Sequence, residues 1–144
     1  MRQIKFRVWD KQRESMVYDF YRFQQEPSGE CRYCETWQDD EDGKYSNCEV
    51  MQFTGLLDSQ GKEIYEGDIL ETQYHHIVKV AVHNFRMCLI ALSPDLQSRC
   101  HHFDFVDVLT TQEDGEWSGV TSTTIIGNEF LNPELLPPAK EAAK

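Results

Sequence analysis

One stretch of this chain is dense in turn signals and short extended segments: Met51-Gln52-Phe53-Thr54-Gly55-Leu56-Leu57-Asp58-Ser59-Gln60-Gly61-Lys62-Glu63-Ile64-Tyr65-Glu66-Gly67-Asp68-Ile69. Its glycines recur at intervals of six residues, as Gly55, Gly61 and Gly67. Glycine adopts backbone angles that a β-carbon penalises, so we interpret the motif as a cluster of tight turns between strands. The alternative is a contact surface formed by Lys62, Glu63, Tyr65, Glu66 and Asp68.

Alternating sequence before this stretch predicts a β-hairpin. Residues 3–9 carry apolar side chains on one face and Lys5 and Arg7 on the other. This alternation is typical of a half-buried strand whose cations face solvent. Met16 to Phe20 is extended as well, and we expect it to pair with the first strand.

Further strands are predicted after the motif. The extended segments run from His76 to His83, from Phe85 to Leu92 and from Thr121 to Ile126, with another around Phe105-Val106. Asn132-Pro133 predicts a cap and the start of one short helical turn, and residues 137–144 are expected to fray. The sequence therefore predicts a mostly-β domain over residues 1–136, in the form of a small barrel.

Residues 24–48 differ from the rest of the chain. They contain the turn sequence Pro27-Ser28-Gly29, the acidic run Asp39 to Asp42, and three of the five cysteines. Apart from Tyr33, Trp37 and Tyr45, few of these residues can pack. We therefore interpret the segment as an acidic, cysteine-bearing excursion inserted at the surface of the domain.

The charge of the chain is strongly negative but uneven. Its 144 residues hold 14 lysines and arginines against 25 aspartates and glutamates, a net charge of −11. Such a balance repels phosphate backbones unless the cations share one face. Residues 1–23 hold six cations and three anions, whereas residues 24–49 hold eight anions and two cations. The first strand is therefore the one basic candidate surface.

No apolar run in the sequence is long enough to span a bilayer, and the start of the chain lacks the apolar core of a signal peptide. We expect a cytoplasmic protein without a membrane partner. Five cysteines are an odd number, which argues against a closed disulfide framework and favours free thiols.

Three segments together resemble the YopX family of small phage and prophage proteins: Met1–Asp10, Met51–Ile69 and Ile125–Leu136. They agree in order and spacing from residue 1 to about residue 136, whereas residues 24–48 depart from the family pattern. The resemblance implies a small SH3-type β-barrel encoded by a phage or prophage. It implies no catalytic residue, because none is assigned in the family.

The cysteines allow one metal hypothesis. Cys31-x-x-Cys34 has the spacing of half a zinc site, and Cys48 could supply a third thiolate. A fourth ligand could come from His75, His76, Cys100, His101 or His102. The alternative is a set of surface thiols without metal, and we expect no other cofactor.

The chain shows no pattern of an enzyme. It has no G-x-S-x-G motif, and its abundant carboxylates identify no acid–base pair. We therefore expect a non-enzymatic phage or prophage accessory protein that acts through protein–protein contacts. It is expected to self-assemble, since its basic and acidic segments are complementary.

Two alternatives remain open from the sequence. One is a nucleic-acid-associated module that uses the basic N-terminal strand. The other is an acidic mimic of the phosphate backbone that occupies a host DNA-binding protein.

Overall fold

The computed structural model describes residues 4–83, 86–92, 102–103, 109–111 and 117–136. Its strands form antiparallel sheets, which confirms the mostly-β prediction. The chain divides into two compact units: an N-terminal unit, Ile4–Phe53, and a C-terminal unit that takes the described residues from Thr54 onward. The predicted segment around Phe105-Val106 and the tail 137–144 lie outside the described residues.

The N-terminal unit is a five-stranded antiparallel sheet with one short helix. Its elements are β1 (Phe6–Asp10), β2 (Ser15–Val17), β3 (Arg22–Gln25), β4 (Cys31–Cys34), α1 (Trp37–Glu41) and the first part of β5 (Ser46–Leu57). The strand order is β2-β1-β5-β4-β3. Val8 opposes Val17 across β1 and β2, so the predicted N-terminal hairpin is confirmed.

The C-terminal unit begins with the end of β5. It continues with β6 (Glu63–Tyr65), β7 (Asp68–Glu71), β8 (Ile77–His83), β9 (Arg86–Ala91), β10 (His102–Phe103), β11 (Leu109–Thr111), β12 (Trp117–Thr121), β13 (Thr124–Asn128) and a 3-10 turn (Pro133–Leu135). Five of these strands form an antiparallel sheet in the order β10-β9-β8-β7-β13. Strand β12 pairs with β11 and runs parallel to β5, where Val120 opposes Leu57.

The described strand pairings form open sheets and close no barrel. The SH3-type barrel is therefore not confirmed. The division of the chain into one domain over residues 1–136 with an insertion at 24–48 stays a prediction.

Each unit has its own apolar core. In the N-terminal unit the buried cluster is Val8, Cys31, Tyr33 and Cys48. In the C-terminal unit it is Ile64, Leu70, Val78, Val80, Leu89 and Ala91. Along β8, Val78 and Val80 are buried in this core, whereas Val82 is exposed near the end of the strand.

The expectation that little of residues 24–48 packs is wrong. Strand β4 pairs with β3 on one side and with β5 on the other, and Cys31, Cys34 and Cys48 are buried together with Tyr33, which was expected to pack. The alternation of polar and apolar residues in β4 is weak, because the strand has only four residues and places a single polar residue, Arg32, on its solvent face. Most of the acidic run lies in α1, which begins where the Thr36 hydroxyl accepts a hydrogen bond from the Asp39 amide.

Turns form at two of the three glycines of the motif, as predicted, whereas Gly55 lies within β5 with a φ of +90°. Gly61 and Gly67 have φ of +86° and +91°, which favours glycine at both positions. The Gly61 amide donates to the Asp58 carbonyl oxygen at 3.0 Å and closes the first turn. The Tyr65 amide donates to the Asp68 carboxylate at 2.8 Å and closes the second.

A buried carboxylate holds the first turn in place. Asp58 is fully buried, and its Oδ1 accepts from the amides of Gln60 and Lys62, both at 2.9 Å. Its Oδ2 accepts from the amide of Ile125 on β13 at 3.1 Å. Burial alone would raise the pKa of Asp58, but the hydrogen bonds from Lys62, Ile125 and Gln60 outweigh it, and the pKa is lowered.

The C-terminal helical turn is confirmed, but its cap is not. Asn132 makes no side-chain cap to the 3-10 turn. Its Oδ1 instead accepts from the amide of Asn128 at 3.2 Å, because the chain reverses directly after β13.

Replacing Asp58 by alanine should lower the free energy of unfolding by about 3 kcal/mol, since three backbone amides lose their acceptor. Urea denaturation followed by circular dichroism measures this loss. Gln60→Ala is the matched control, because Gln60 is exposed and contributes its backbone amide alone. The control should change stability by less than about 0.5 kcal/mol, as is usual for a surface substitution. Equal losses in the two variants would contradict the role of Asp58.

Stability should also fall in acid through this carboxylate. A carboxyl whose pKa is lowered on folding contributes stability above its ordinary pKa of 3.8 and loses it as the pH falls through the folded value. Asp58→Asn cannot titrate, so the decline below about pH 4 should be shallower in this variant than in the wild type. Denaturation midpoints from neutral pH down to about pH 2 compare the two slopes, and parallel curves would contradict the prediction.

Candidate functional site

A polar pocket of about 360 Å³ lies beside α1 in the N-terminal unit. It is lined by side chains that could bind or react, among them Tyr33, Cys34, Glu35, Asp39, Lys44 and Tyr45. Strand β4 supplies the first two of these, and the segment that leads through α1 to β5 supplies the others. This pocket is the candidate functional site.

One wall of the pocket includes the short helix α1, which has a defined cap at its start and a tight turn after its end. The Thr36 cap starts α1, and the turn after it ends at Gly43, whose φ is +69°. The Lys44 amide donates to the Asp39 carbonyl oxygen at 2.8 Å, which brings the chain back toward β5. No residue of α1 is buried, and the Trp37 side chain is 59% exposed.

Beneath the pocket lies a buried hydrogen-bond network centred on Asp10. The Asp10 side chain is 1% exposed, and its Oδ2 accepts from the Tyr33 hydroxyl at 2.6 Å and from Arg13 Nε at 3.2 Å. Its Oδ1 accepts from the amides of Gln12 and Arg13. Arg13 Nη2 also donates to the Tyr33 hydroxyl at 2.8 Å and to Glu35. The network joins the turn after β1 to strand β4.

Burial and hydrogen bonds, including the one they share, determine the ionisation of Asp10 and Tyr33. Burial would raise the pKa of Asp10, but hydrogen bonds from the Arg13 amide and the Tyr33 hydroxyl outweigh it, and the pKa is lowered. Burial, and then the hydrogen bond to Asp10, raises the pKa of Tyr33 to about 12. Tyr33 therefore keeps its proton at neutral pH and holds Asp10 in its ionised form.

In the described part of the chain, several lysines and arginines have carboxylate partners at short distance. Arg13 pairs with Glu35, and the other pairs are Lys11 with Glu49 at 3.3 Å, Arg22 with Asp40 at 3.6 Å, Arg32 with Glu26 at 2.7 Å, and Lys79 with Glu129 at 3.2 Å. Most of these side chains are exposed, so the pairs contribute little stability. They do place an anion beside each cation, which reduces the positive potential available to a phosphate.

The predicted basic strand is not an open basic face. Arg7, which was expected to face solvent, is 2% exposed, and its Nη1 donates to the Tyr18 hydroxyl at 3.3 Å. Lys5 is half-buried, and its ammonium lies 5.6 Å from the centre of the Phe53 ring. The alternation failed at Arg7 because a long aliphatic stem and a flat guanidinium can be buried against an aromatic ring.

The residues of the glycine motif do not form one exposed surface. Tyr65 and Asp68 are 4% and 2% exposed, and they bond to each other across the second turn. Glu66 is half-buried and Lys62 is exposed. A contact role stays a prediction for Lys62 and Glu66, while the buried members have a role in the turn itself.

The three cysteines of the zinc hypothesis, Cys31, Cys34 and Cys48, do not point toward one common site. Because side chains alternate along a strand, Cys31 and Cys34 lie on opposite faces of β4. Cys31 joins the core beside Cys48, whereas Cys34 lines the pocket. Among the described residues, no group of three or more His, Cys, Asp or Glu side chains could hold a metal ion. Cys100 and His101 lie outside the described residues, and the absence of a cofactor stays a prediction.

Sequence reasoning missed the Asp10 network and the exposed Trp37. Asp10 stood at the start of a polar turn, where an aspartate that accepts hydrogen bonds from amides two and three residues ahead is common. This pattern could have identified the turn, but no local signal shows that Tyr33, 23 residues away, donates to the same carboxylate.

Replacing Tyr33 by phenylalanine removes a buried hydrogen bond to a charged group. The free energy of unfolding should fall by about 1.5 kcal/mol, which is typical for the loss of such a bond. Chemical denaturation measures the change. Tyr45→Phe is the control, since the Tyr45 hydroxyl bonds to Asp40 in a partly exposed position, and it should destabilise the protein less than Tyr33→Phe does. If Tyr33→Phe were as stable as the wild type, the Asp10 network would not stabilise this unit.

No helix in the described part of the chain is long and apolar enough to cross a membrane.

Comparison with known proteins identifies the family and a solved structure with a similar fold. No curated protein matches the chain. The crystal structure of protein EF1440 from Enterococcus faecalis is similar over 95% of this chain and 100% of that chain, with 24% sequence identity and a TM-score of 0.50. At this identity the likeness concerns the fold alone. The family model described as YopX protein matches residues 5–137, almost the whole chain, so this protein belongs to the YopX family.

Proposed function

We propose that this YopX-family protein is a phage or prophage accessory protein that acts in the bacterial cytoplasm through protein–protein contacts and has no catalytic role. The observation that carries the proposal is an exposed aromatic and acidic surface around α1. We define the α1 surface as Tyr21, Glu35, Trp37, Glu41 and Asp42, all of which are exposed.

The α1 surface presents two large aromatic side chains at one end of the β3–β4 hairpin. Trp37 is 59% exposed and Tyr21 is 53% exposed. The Tyr21 amide donates to the Cys34 carbonyl oxygen at 3.0 Å, and Arg22 pairs with Asp40, so the start of β3 lies against the α1 segment. Tryptophan and tyrosine dominate binding energy in protein interfaces because they bury a large area with few rotatable bonds.

The charge around these aromatic side chains favours a basic partner. Residues 35–44 contain five carboxylates, Glu35, Asp39, Asp40, Glu41 and Asp42, against the single cation Lys44. Arg13 pairs with Glu35 and Arg22 with Asp40, so the excess negative charge lies mainly on Asp39, Glu41 and Asp42. An anionic surface of this kind attracts a positively charged protein over a distance of about a Debye length. An arginine of the partner could stack on Trp37 and pair with a neighbouring carboxylate.

The same arrangement gives less support to the nucleic-acid alternative. Arg7 is buried, and Arg13, Arg22 and Arg32 lie beside carboxylates. A protein cation that contacts a phosphate releases a counterion from the nucleic acid, and this release favours binding. These arginines would first have to leave their carboxylate partners. Binding to DNA or RNA is therefore an outcome of the test and not part of the proposal.

The ionisation of the pocket groups favours binding over catalysis. Tyr33 keeps its proton, and the hydrogen bond to Asp40 raises the pKa of Tyr45 to about 12. Neither hydroxyl is poised to act as a base or nucleophile near neutral pH. Self-association also remains part of the proposal, although the burial of Arg7 removes one of the cations expected to contact the acidic segments.

A pull-down from host lysate, with the captured protein then purified and titrated, tests the proposal. Trp37→Ala should weaken binding by about 30-fold, equivalent to roughly 2 kcal/mol for an interface tryptophan. Tyr74→Ala is the control, because Tyr74 is 71% exposed and lies in the C-terminal unit, away from α1 in sequence. Binding should also weaken as salt rises.

Two results would contradict the proposal. One is an affinity that Trp37→Ala leaves unchanged. The other is binding to single- or double-stranded nucleic acid at low salt that is stronger than binding to the captured protein. Light scattering at low and high salt tests self-association separately, and a monomer at every concentration would remove it.

A further inference from the structure

Two buried cysteines oppose each other in the sheet of the N-terminal unit. Cys31 on β4 pairs directly with Cys48 on β5, and their Sγ atoms are 3.4 Å apart. Opposed residues of an antiparallel pair have Cα atoms about 4.5 or 5.5 Å apart. Both distances lie within the range of about 4.4 to 6.8 Å that a disulfide spans, so the two sulfurs can bond without a change of register.

We propose that Cys31 and Cys48 form an oxidation site, at which hydrogen peroxide converts the two thiols into a reversible intrachain disulfide. The inference is independent of the proposed function. It concerns the chemistry of this pair alone, which lies on the core face of β4, whereas the zinc hypothesis required Cys34 on the opposite face.

The reaction balances in two steps. The sulfur of Cys31 attacks one peroxide oxygen, the O–O bond breaks, and the products are a sulfenic acid on Cys31 and one water. The sulfur of Cys48 then attacks the Cys31 sulfur, the S–O bond breaks, and the hydroxyl leaves as a second water with the proton of Cys48. Two thiols are oxidised to one disulfide, and one peroxide is reduced to two waters. A small thiol, such as glutathione, restores both thiols by exchange.

The structure distinguishes the two sulfurs by access. Cys31 is 9% exposed and Cys48 is 1% exposed. Cys31 is also the first residue of β4, directly after a turn in which the Gly29 amide donates to the Glu26 carbonyl oxygen at 2.8 Å. A short opening of this end of the β3–β4 hairpin would expose Cys31 before Cys48. Peroxide is small and uncharged, so it needs little room.

Cys48 has the properties of the second reactant. Burial, and then the hydrogen bond with Cys31, raises the pKa of Cys48, so that sulfur is a protonated thiol in the reduced protein. It is slow to react with peroxide from solution for that reason. A sulfenic acid formed 3.4 Å away would meet it at high effective concentration, which offsets its small thiolate fraction.

The disulfide would have a local structural effect. It would join β4 covalently to β5 and close the loop between residues 31 and 48, which contains α1 and all the residues that line the pocket. Cross-linking a loop of this length restricts the unfolded chain and raises the melting temperature.

Peroxide treatment of the full chain, followed by blocking of free thiols, proteolysis and mass spectrometry, tests the proposal. The expected product is a peptide pair linked through Cys31 and Cys48, with a mass lower by about 2 Da than the two thiol peptides together. The melting temperature should rise by about 5 °C, and dithiothreitol should reverse both changes.

Cys34→Ser is the matched control, because Cys34 is buried on the same strand but on its other face, and it should form the same linked pair as the wild type. Cys48→Ser should instead stop at the Cys31 sulfenic acid, which dimedone traps. If that variant does not fold, the peptide map of the wild type decides alone. Free thiols at Cys31 and Cys48 after treatment, or a disulfide from either one to another cysteine, would overturn the proposal.

Discussion

The backbone of β5 is the constraint on which the described strands depend most. Its 12 residues supply hydrogen-bonding partners to β1 and β4 in the N-terminal unit and to β6 and β12 in the C-terminal unit. Cys48 lies between two strands, opposite Asp10 on one side and Cys31 on the other. An unpaired backbone amide in the interior costs free energy. Each strand that pairs with β5 therefore takes the register in which its amides find partners on β5. The Cys31–Cys48 contact and the position of Asp10 both follow from that register.

Each unit then uses one buried carboxylate to hold a turn against a distant strand. Asp10 binds the turn after β1 and accepts from Tyr33 on β4. Asp58 binds its own turn and accepts from Ile125 on β13. Both pairs link residues far apart in sequence, and in both the hydrogen bonds outweigh the cost of burying a charge. Together with Asp68, these two carboxylates are buried in the described part of the chain, so three of its 25 acidic residues contribute little to an acidic surface.

A large part of the fold follows from local signals. The N-terminal hairpin, the strand over residues 77–83 and the two glycine turns could be predicted, because alternation and glycine position act over a few residues. The β3–β4 hairpin could not be predicted as easily, since β4 has four residues and lies between a proline–glycine turn and an acidic run. Its burial depends on pairing with β5, which is a long-range event.

The sequence by itself determined the strand content, the turns, the family and the net charge, since each is a property of residue type and local order. Only the tertiary structure decided which polar side chains lie inside. It buried Arg7 against Tyr18, separated Cys34 from Cys31, brought Cys31 to Cys48 and left Trp37 exposed among carboxylates. The physical reason is that strand pairing, and not neighbouring residues, sets which side chains share a face and which of them lose contact with water.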